Sequence, residues 1–258
     1  MTSEATLFPW LLRGWLALAG VVFVALLFVA APYGRHARRG WGPSVDATLG
    51  WVLMELPAVA GMAFFFAVGG RTTAPAVVFL ALWQLHYLHR TFVFPFRRRG
   101  SGRQAPLAIV AMAFVFNVVN SYLNGRQLFT LGPEHPASWL LSAPFLAGAL
   151  LFLSGFAINL RSDEILFRLR PAGEGSGHPG GYRIPRGGLF RWVSCPNYLG
   201  EILEWTGWAI ATGTLAGWSF AAWTAANLVP RALAHHRWYR QRFPDYPDER
   251  KALVPWLL

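Results

Sequence analysis

Two side chains able to do chemistry stand where the sequence is otherwise apolar. Glu55 lies in WVLMELPAVAGM and Tyr87 in ALWQLHYLHRTF. A lone carboxylate in such surroundings is costly, so Glu55 must be protonated, paired or beside water. Counted from the same end of two sequential antiparallel helices, both residues lie roughly 14–15 Å deep at the usual helical rise. An acid and a phenol at one level can share a hydrogen bond and merely join two helices. They can also face a ligand together, Tyr87 donating to a substrate oxygen while Glu55 holds the phenol or donates too. A phenol paired with a protonated acid is a known way of stabilising charge on a carbonyl oxygen.

A second set of polar residues surrounds the stretch Ser194-Cys195-Pro196-Asn197-Tyr198-Leu199-Gly200-Glu201. Pro196 suits the first turn of a helix, where its missing N–H is no loss. Asn197, Glu201 and Glu204 follow at i, i+4 and i+7 and share one face. Two acids on one stripe of an apolar helix need something polar opposite, and a nucleotide cofactor at the cytoplasmic end of a bundle meets that need. Asn117, Asn120, Asn124 and Gln127 form a comparable amide stripe, more than one interhelical hydrogen bond requires. Asn159 and Asp163, followed by Arg168 and Arg170, combine an acid for hydroxyls with arginines for phosphate, though a solvated ion-pair cluster has the same composition. Asn227, Arg231, His235 and Tyr239 recur at four-residue steps, as a lipid-binding ridge or a cofactor ledge. His86, His89 and Arg90 lack the further ligand that zinc needs, whereas Arg90 can snorkel to a phosphate or headgroup. Residues 171–191 are glycine-rich and basic; they read as a flexible loop or as a phosphate cradle, without a recognised nucleotide-loop spacing.

These residues have to be held by helices in a bilayer. Of 258 residues, 54% are hydrophobic, too apolar for a soluble domain. Seven spans fit the hydropathy, at approximately 9–31, 45–68, 73–96, 105–126, 137–160, 197–214 and 216–232. The net charge of +11 reports orientation rather than nucleic-acid binding. Nineteen basic residues fall after spans one, three, five and seven, against Arg13, Arg71 and Arg126 on the other side. The fold class predicted is therefore an all-α membrane protein of seven transmembrane helices, with its N-terminus outside and its C-terminus cytoplasmic. No basic region precedes the first apolar run, so a secretory signal is not expected. Cys195 is the one cysteine, which excludes an intramolecular disulfide. The one lysine, Lys251, lies beyond the last span, which excludes a retinal Schiff base; no internal repeat supports a transporter. Composition and spacing thus lead to a membrane-embedded site where an apolar ligand from the lipid meets an anionic cofactor from the cytosol.

Several stretches carry a resemblance. They are Tyr33-Gly34-Arg35-His36, Glu55-Leu56-Pro57, His86-Tyr87-Leu88-His89-Arg90-Thr91-Phe92-Val93, Asn159 with Ser162-Asp163, Tyr182-Arg183-Ile184-Pro185, Asn197-Tyr198-Leu199-Gly200-Glu201, Arg231 with His235, and Asp245-Tyr246-Pro247. In these the chain resembles the steroid 5α-reductase (3-oxo-5α-steroid 4-dehydrogenase) family, in a bacterial-type form, over most of its length. The resemblance implies a single integral-membrane reductase domain over 1–258, with a substrate part near 1–104 and a cofactor part near 105–258. It implies NADPH as cofactor and hydride transfer to C5 of a 3-oxo-Δ4-steroid, with Glu55 and Tyr87 holding the 3-keto oxygen. Arg35, Arg90, Asn120, Asn159, Asp163, Arg170, Tyr182, Asn197, Glu201, Arg231, His235 and Tyr239 then match cofactor contacts. Relatives often carry Gln before the acid of the Glu-Leu-Pro element, where this chain has Met54. The partners implied are membrane lipids and a hydrophobic steroid-like substrate arriving from the bilayer, with no nucleic acid, and the protein is expected to be a monomer. A membrane enoyl or polyprenol reductase, an isoprenylcysteine-type S-adenosylmethionine methyltransferase and a non-catalytic lipid-binding scaffold are the competing expectations.

Overall fold

Seven helices of 17 or more residues carry the described part of the chain, which in this computed structural model comprises residues 3–29, 40–97, 104–169 and 182–258. They are α1 (Glu4–Phe28), α2 (Ala47–Val68), α3 (Ala74–Phe92), α5 (Leu107–Arg126), α6 (Ala143–Arg168), α7 (Pro196–Thr212) and α8 (Leu215–Arg242), with α4 (Phe94–Arg97) a single turn after α3. Their positions follow the hydropathy spans, but α6 and α8 run well past the predicted ends at 160 and 232. There the chain becomes amphipathic rather than non-helical. Four stretches, Glu4–Phe28, Ala47–Val68, Leu107–Leu131 and Ala143–Arg168, are long and apolar enough to cross a membrane, which makes the chain an integral membrane protein. Helices α3, α7 and α8 carry more of the polar side chains described below, and their hydropathy is lower for that reason.

Local signals set the helix ends. The Asp46 carboxylate accepts from the backbone N–H of Thr48 and Leu49, at 2.9 and 3.0 Å, and so caps α2. The strand β1 (Ser44–Asp46) pairs antiparallel with β2 (Gln104–Pro106), so the starts of α2 and α5 are tied together. Gly213, in the left-handed region at φ 60°, ends α7, and the Thr214 hydroxyl accepts from Gly217 N at 3.0 Å to begin α8.

Within α2, Pro57 supplies no N–H to the helix ladder. Neighbouring helices donate to the carbonyls around it. Asn117 Nδ2 donates to Met54 O (2.7 Å), Trp83 Nε1 to Ala58 O (2.9 Å) and Gln84 Nε2 to Val59 O (2.9 Å). The proline is thereby built into the contacts of α2 with α3 and α5, one residue pair beyond Glu55.

Helices α6 and α7 touch backbone to backbone. A Cβ on Gly155 would come within 2.4 Å of Glu204 N, and one on Gly200 within 2.6 Å of Asn159 N. Gly148 and Gly207, seven residues away on each helix, repeat the contact. Asn159 and Glu204 are therefore placed by backbone packing and not by side-chain chance. Against this pair lies an aromatic core of Phe79, Trp83, Phe152, Trp205, Trp208 and Phe220.

The segment after α8 turns back onto the start of α7. Ser194 N donates to Lys251 O (2.9 Å), Cys195 N to Ala252 O (3.1 Å), and Lys251 N to Trp192 O (2.9 Å). The Ser194 hydroxyl lies 2.7 Å from His236 Nδ1 and 2.6 Å from the Tyr246 hydroxyl. Burial, with Arg240 and Lys251 nearby, holds the His236 pKa below the usual histidine value.

Candidate active site

Arg90 is the centre around which the site is arranged. It leaves the last turn of α3 and reaches three carboxylates on three other helices. Its Nε is 3.9 Å from Glu55 Oε1 (α2), its Nη1 3.9 Å from Asp163 Oδ2 (α6) and its Nη2 3.8 Å from Glu201 Oε2 (α7). Its guanidinium lies 4.8 Å from the Trp51 ring centroid and 4.4 Å from that of Phe94, and its backbone carbonyl accepts from Trp51 Nε1 at 3.0 Å. A planar cation stacked on two rings and facing three acids suits arginine and not lysine.

The acids are held in turn by amides. Asn117 Nδ2 donates to Glu55 Oε2 at 3.1 Å while also binding the Met54 carbonyl. Asn197 Nδ2 donates to Asp163 Oδ1 at 3.3 Å, and Asn159 Nδ2 to Asn197 O at 3.0 Å, with Glu201 Oε2 at 3.5 Å. Glu55, Arg90, Asn159, Asp163, Asn197 and Glu201 thus form one partly buried cluster across α2, α3, α6 and α7, with Asn159 and Asp163 its buried members.

Tyr87 sits beside this cluster, one turn deeper on α3. Its ring lies 4.9 Å from that of Trp83 and 5.6 Å from that of Trp205. Glu55, Glu201 and Arg90 are all near enough to act on the phenol electrostatically, and Asn120 is its polar neighbour. Among the described residues, no hydrogen bond joins Glu55 to Tyr87 directly. The sequence allowed such a bond; the carboxylate is instead held between Asn117 and Arg90.

A second zone adjoins the first. Arg231 Nε donates to the Tyr198 hydroxyl at 2.8 Å, and the His235 ring lies 5.6 Å from that of Tyr198, with Nδ1 3.8 Å from Cys195 Sγ. Tyr239 stacks on Tyr246 at 5.2 Å, and Tyr182 meets Trp238 at 5.0 Å. This ledge of α8 and its neighbours is basic and aromatic, where the first zone is acidic and amide-rich. Arg35 and Arg170 lie outside the described residues, as does most of the glycine-rich stretch.

Three placements differ from the sequence reading. Arg90, expected to reach a phosphate or headgroup, points at acids. Glu204, grouped by spacing with Asn197 and Glu201, is turned toward α3, where its Oε1 lies 2.8 Å from His86 Nδ1. The amide stripe of α5 divides: Asn117 serves Glu55, while Asn124 accepts from Trp208 Nε1 at 3.0 Å and donates to Asn120 Oδ1 at 3.1 Å. Trp51 was not singled out by the sequence. Its one legible signal is an indole on the same helix as Glu55, one turn nearer the helix start.

The donor set fits a dinucleotide in two parts. Carboxylates and amides accept from and donate to hydroxyls and a carboxamide, while arginine, histidine and tyrosine suit phosphate and an aromatic base. The fold and site together define a membrane-embedded protein with an acid and a phenol beside a polar cluster, and the relatives it matches are oxidoreductases by name. The family profile described as 3-oxo-5-alpha-steroid 4-dehydrogenase matches residues 103–258. The chain is 40% identical to a steroid 5-alpha-reductase of Gossypium hirsutum over 100% of both chains. It is 40% identical to the 3-oxo-5-alpha-steroid 4-dehydrogenase 1 of Bos taurus, over 94% of this chain and 93% of that one. With its Mus musculus counterpart the identity is 42% over 93% of each. The chain belongs to the 3-oxo-5-alpha-steroid 4-dehydrogenase family.

Proposed function

We propose that this protein reduces the C4–C5 double bond of a 3-oxo-Δ4-steroid, using NADPH, at a site between its deep acid–phenol chamber and its polar cluster. The observation that supports this reading is Arg90, whose guanidinium lies within 3.9 Å of Glu55, Asp163 and Glu201, so that the acid read as substrate-side and the acids read as cofactor-side share one cation. Bound there, NADPH would supply the hydride for C5, and a proton delivered to C4 would complete the reduction. Asn159, Asp163, Asn197 and Glu201 would hold its hydroxyl and amide groups; Arg231, His235, Tyr182 and Tyr239, with Arg35 and Arg170, would hold its phosphates and base. Arg90 keeps the acids in place at the border, and Asn120 attends the phenol.

Tyr87 donates to the 3-keto oxygen, and Glu55, in its protonated form and fixed by Asn117, donates to the same oxygen. As negative charge grows on that oxygen during reduction, these groups hold it more strongly than they hold the ground-state ketone, which lowers the barrier. The aromatic walls from Trp83 and Trp205 exclude water and strengthen the interaction.

The remaining features follow from the same reading. All seven long helices cross the membrane, the protein is multi-pass, and the cofactor site opens to the cytoplasm, in a prokaryote from the inner membrane. Residues 1–104 form the larger share of the substrate chamber and residues 105–258 the cofactor site. The substrate enters from the bilayer, lipids are the surrounding partners, and the protein works as a monomer. Aerobic incubation of the purified protein in detergent with NADPH and testosterone or progesterone, read by mass spectrometry, tests the reading. A gain of two hydrogens at the Δ4 bond supports it. NADPH binding with neither steroid reduced moves the substrate to an enoyl or polyprenol class.

A further inference from the structure

The His86–Glu204 pair is the buried titratable contact that the reaction above does not use. His86 Nδ1 lies 2.8 Å from Glu204 Oε1, with the histidine side chain 5% exposed and the glutamate 0%. Among the described residues, the other carboxyl oxygen, Glu204 Oε2, has no hydrogen-bond partner. A leucine would fill that volume without burying an unpaired acceptor, so packing alone gives no reason for an acid there.

Both ends of the pair are informative. On α7, the Glu204 backbone is seated against Gly155 of α6, at the contact that leaves no room for a Cβ. The carboxyl therefore hangs from the most closely fitted part of the bundle. On α3, the His86 ring stands edge-on to Tyr87 at 4.9 Å and 74°, and edge-on to Trp205 at 4.7 Å and 66°. Ring–ring contacts centre Tyr87 but are tolerant of rotation and sliding. A hydrogen bond has a direction. It is the feature that sets how the imidazole is turned, and the imidazole edge limits where the neighbouring phenol can lie.

We propose that Glu204 and His86 are a positioning pair for Tyr87, fixing the phenol of α3 by reference to the α6–α7 backbone contact. Neither residue touches the reacting atoms. The pair acts through Tyr87, and its effect on turnover rests on the function proposed above.

The test uses the full-length protein in lipid nanodiscs with two substitutions. Glu204→Gln keeps a group that can bond His86 Nδ1 in either role. Glu204→Leu keeps the bulk and removes the bond. The expected result for Leu is a fall in kcat of about tenfold or more, a loss of some 1.4 kcal/mol of transition-state stabilisation, with NADPH affinity within about twofold. For Gln, kcat recovers to within about threefold of the parent. A parent-like kcat in the Leu variant overturns the proposal. So does an equal fall of kcat and NADPH affinity in both variants, which marks a global disturbance. Fluorine NMR of 3-fluorotyrosine, with the residue-87 signal assigned through Tyr87→Phe, reads the phenol without any turnover. That signal should shift in Glu204→Leu and stay in Glu204→Gln. An unmoved signal in the Leu variant sinks the positioning role. A moved signal in a protein that reduces no steroid keeps the pair and discards the function. Should Glu204→Leu not fold, His86→Asn and His86→Phe serve for the same readout, with Asn expected to hold the signal better than Phe.

Discussion

Arg90 Nε stands 3.9 Å from Glu55 Oε1, and Asp163 and Glu201 stand as near to the other two guanidinium nitrogens, all three separations being too long for a hydrogen bond. One cation is shared among three acids from three helices. The arrangement ties α2, α6 and α7 electrostatically to α3.

Removing the cation strands the acids. Arg90→Met is expected to destabilise the protein by about 3–5 kcal/mol, as for other buried charges deprived of a partner. Arg90→Lys should recover only part of this, because the ammonium cannot lie flat on Trp51 and Phe94. Thermal unfolding in detergent measures both, and a Met variant as stable as the parent removes Arg90 from its central place.

Chemistry and cofactor binding should separate by residue. Glu55→Gln and Tyr87→Phe are expected to lower kcat by roughly a hundredfold or more each, the usual scale for losing an oxyanion donor, while NADPH affinity stays nearly constant. Turnover retained in both variants takes the two residues out of the reaction.

Glu201→Ala should do the reverse, weakening NADPH on the order of tenfold, equivalent to about 1.4 kcal/mol. Its carboxylate faces Arg90 on one side and Asn159 Nδ2, 3.5 Å away, on the other. Titration of NADPH fluorescence gives the affinity directly, and an unchanged value places the cofactor elsewhere.

The α6–α7 contact admits no side chain. In Gly155→Ala the new Cβ would lie 2.4 Å from Glu204 N, so the helices must part, at an expected cost of about 1–3 kcal/mol. Gly14→Ala, with nothing within 4 Å of the added carbon, is the matched control on α1. Equal thermal midpoints for the two variants would contradict the backbone contact.

Acid should loosen the segment that folds back on α7. His236 titrates below the usual histidine value in the folded protein, chiefly through burial. Below about pH 6.5 the unfolded chain therefore binds a proton that the folded chain resists, and stability falls as pH falls. Protection of residues 246–254 against hydrogen exchange, taken relative to the intrinsic rate at each pH, is expected to fall between pH 7 and 5 in the parent and to do so less in His236→Gln. The same acid dependence in both proteins would assign it to another group.

Hydropathy and spacing settled a good deal by themselves. The long apolar runs placed the helices along the chain, though not the ends of α6 and α8, because burial in a bilayer demands length and apolarity that any reader can count. Glu55 and Tyr87 stood out because a polar group in such a run is expensive. The four-residue steps of Asn197 and Glu201 put them on one face, where they are found beside Asn159 and Asp163. Helical periodicity says which residues share a face; it does not say which neighbour that face meets. Glu204 lies on nearly the same stripe as Glu201, yet Gly155 and Gly200 bring α6 so close that the later turn of α7 presents Glu204 to His86, 118 residues earlier. The same packing turned Arg90 inward to acids and interposed Asn117 at Glu55. Those pairings depend on the rotation and separation of whole helices, quantities set by all their contacts together, so only the tertiary structure could decide them.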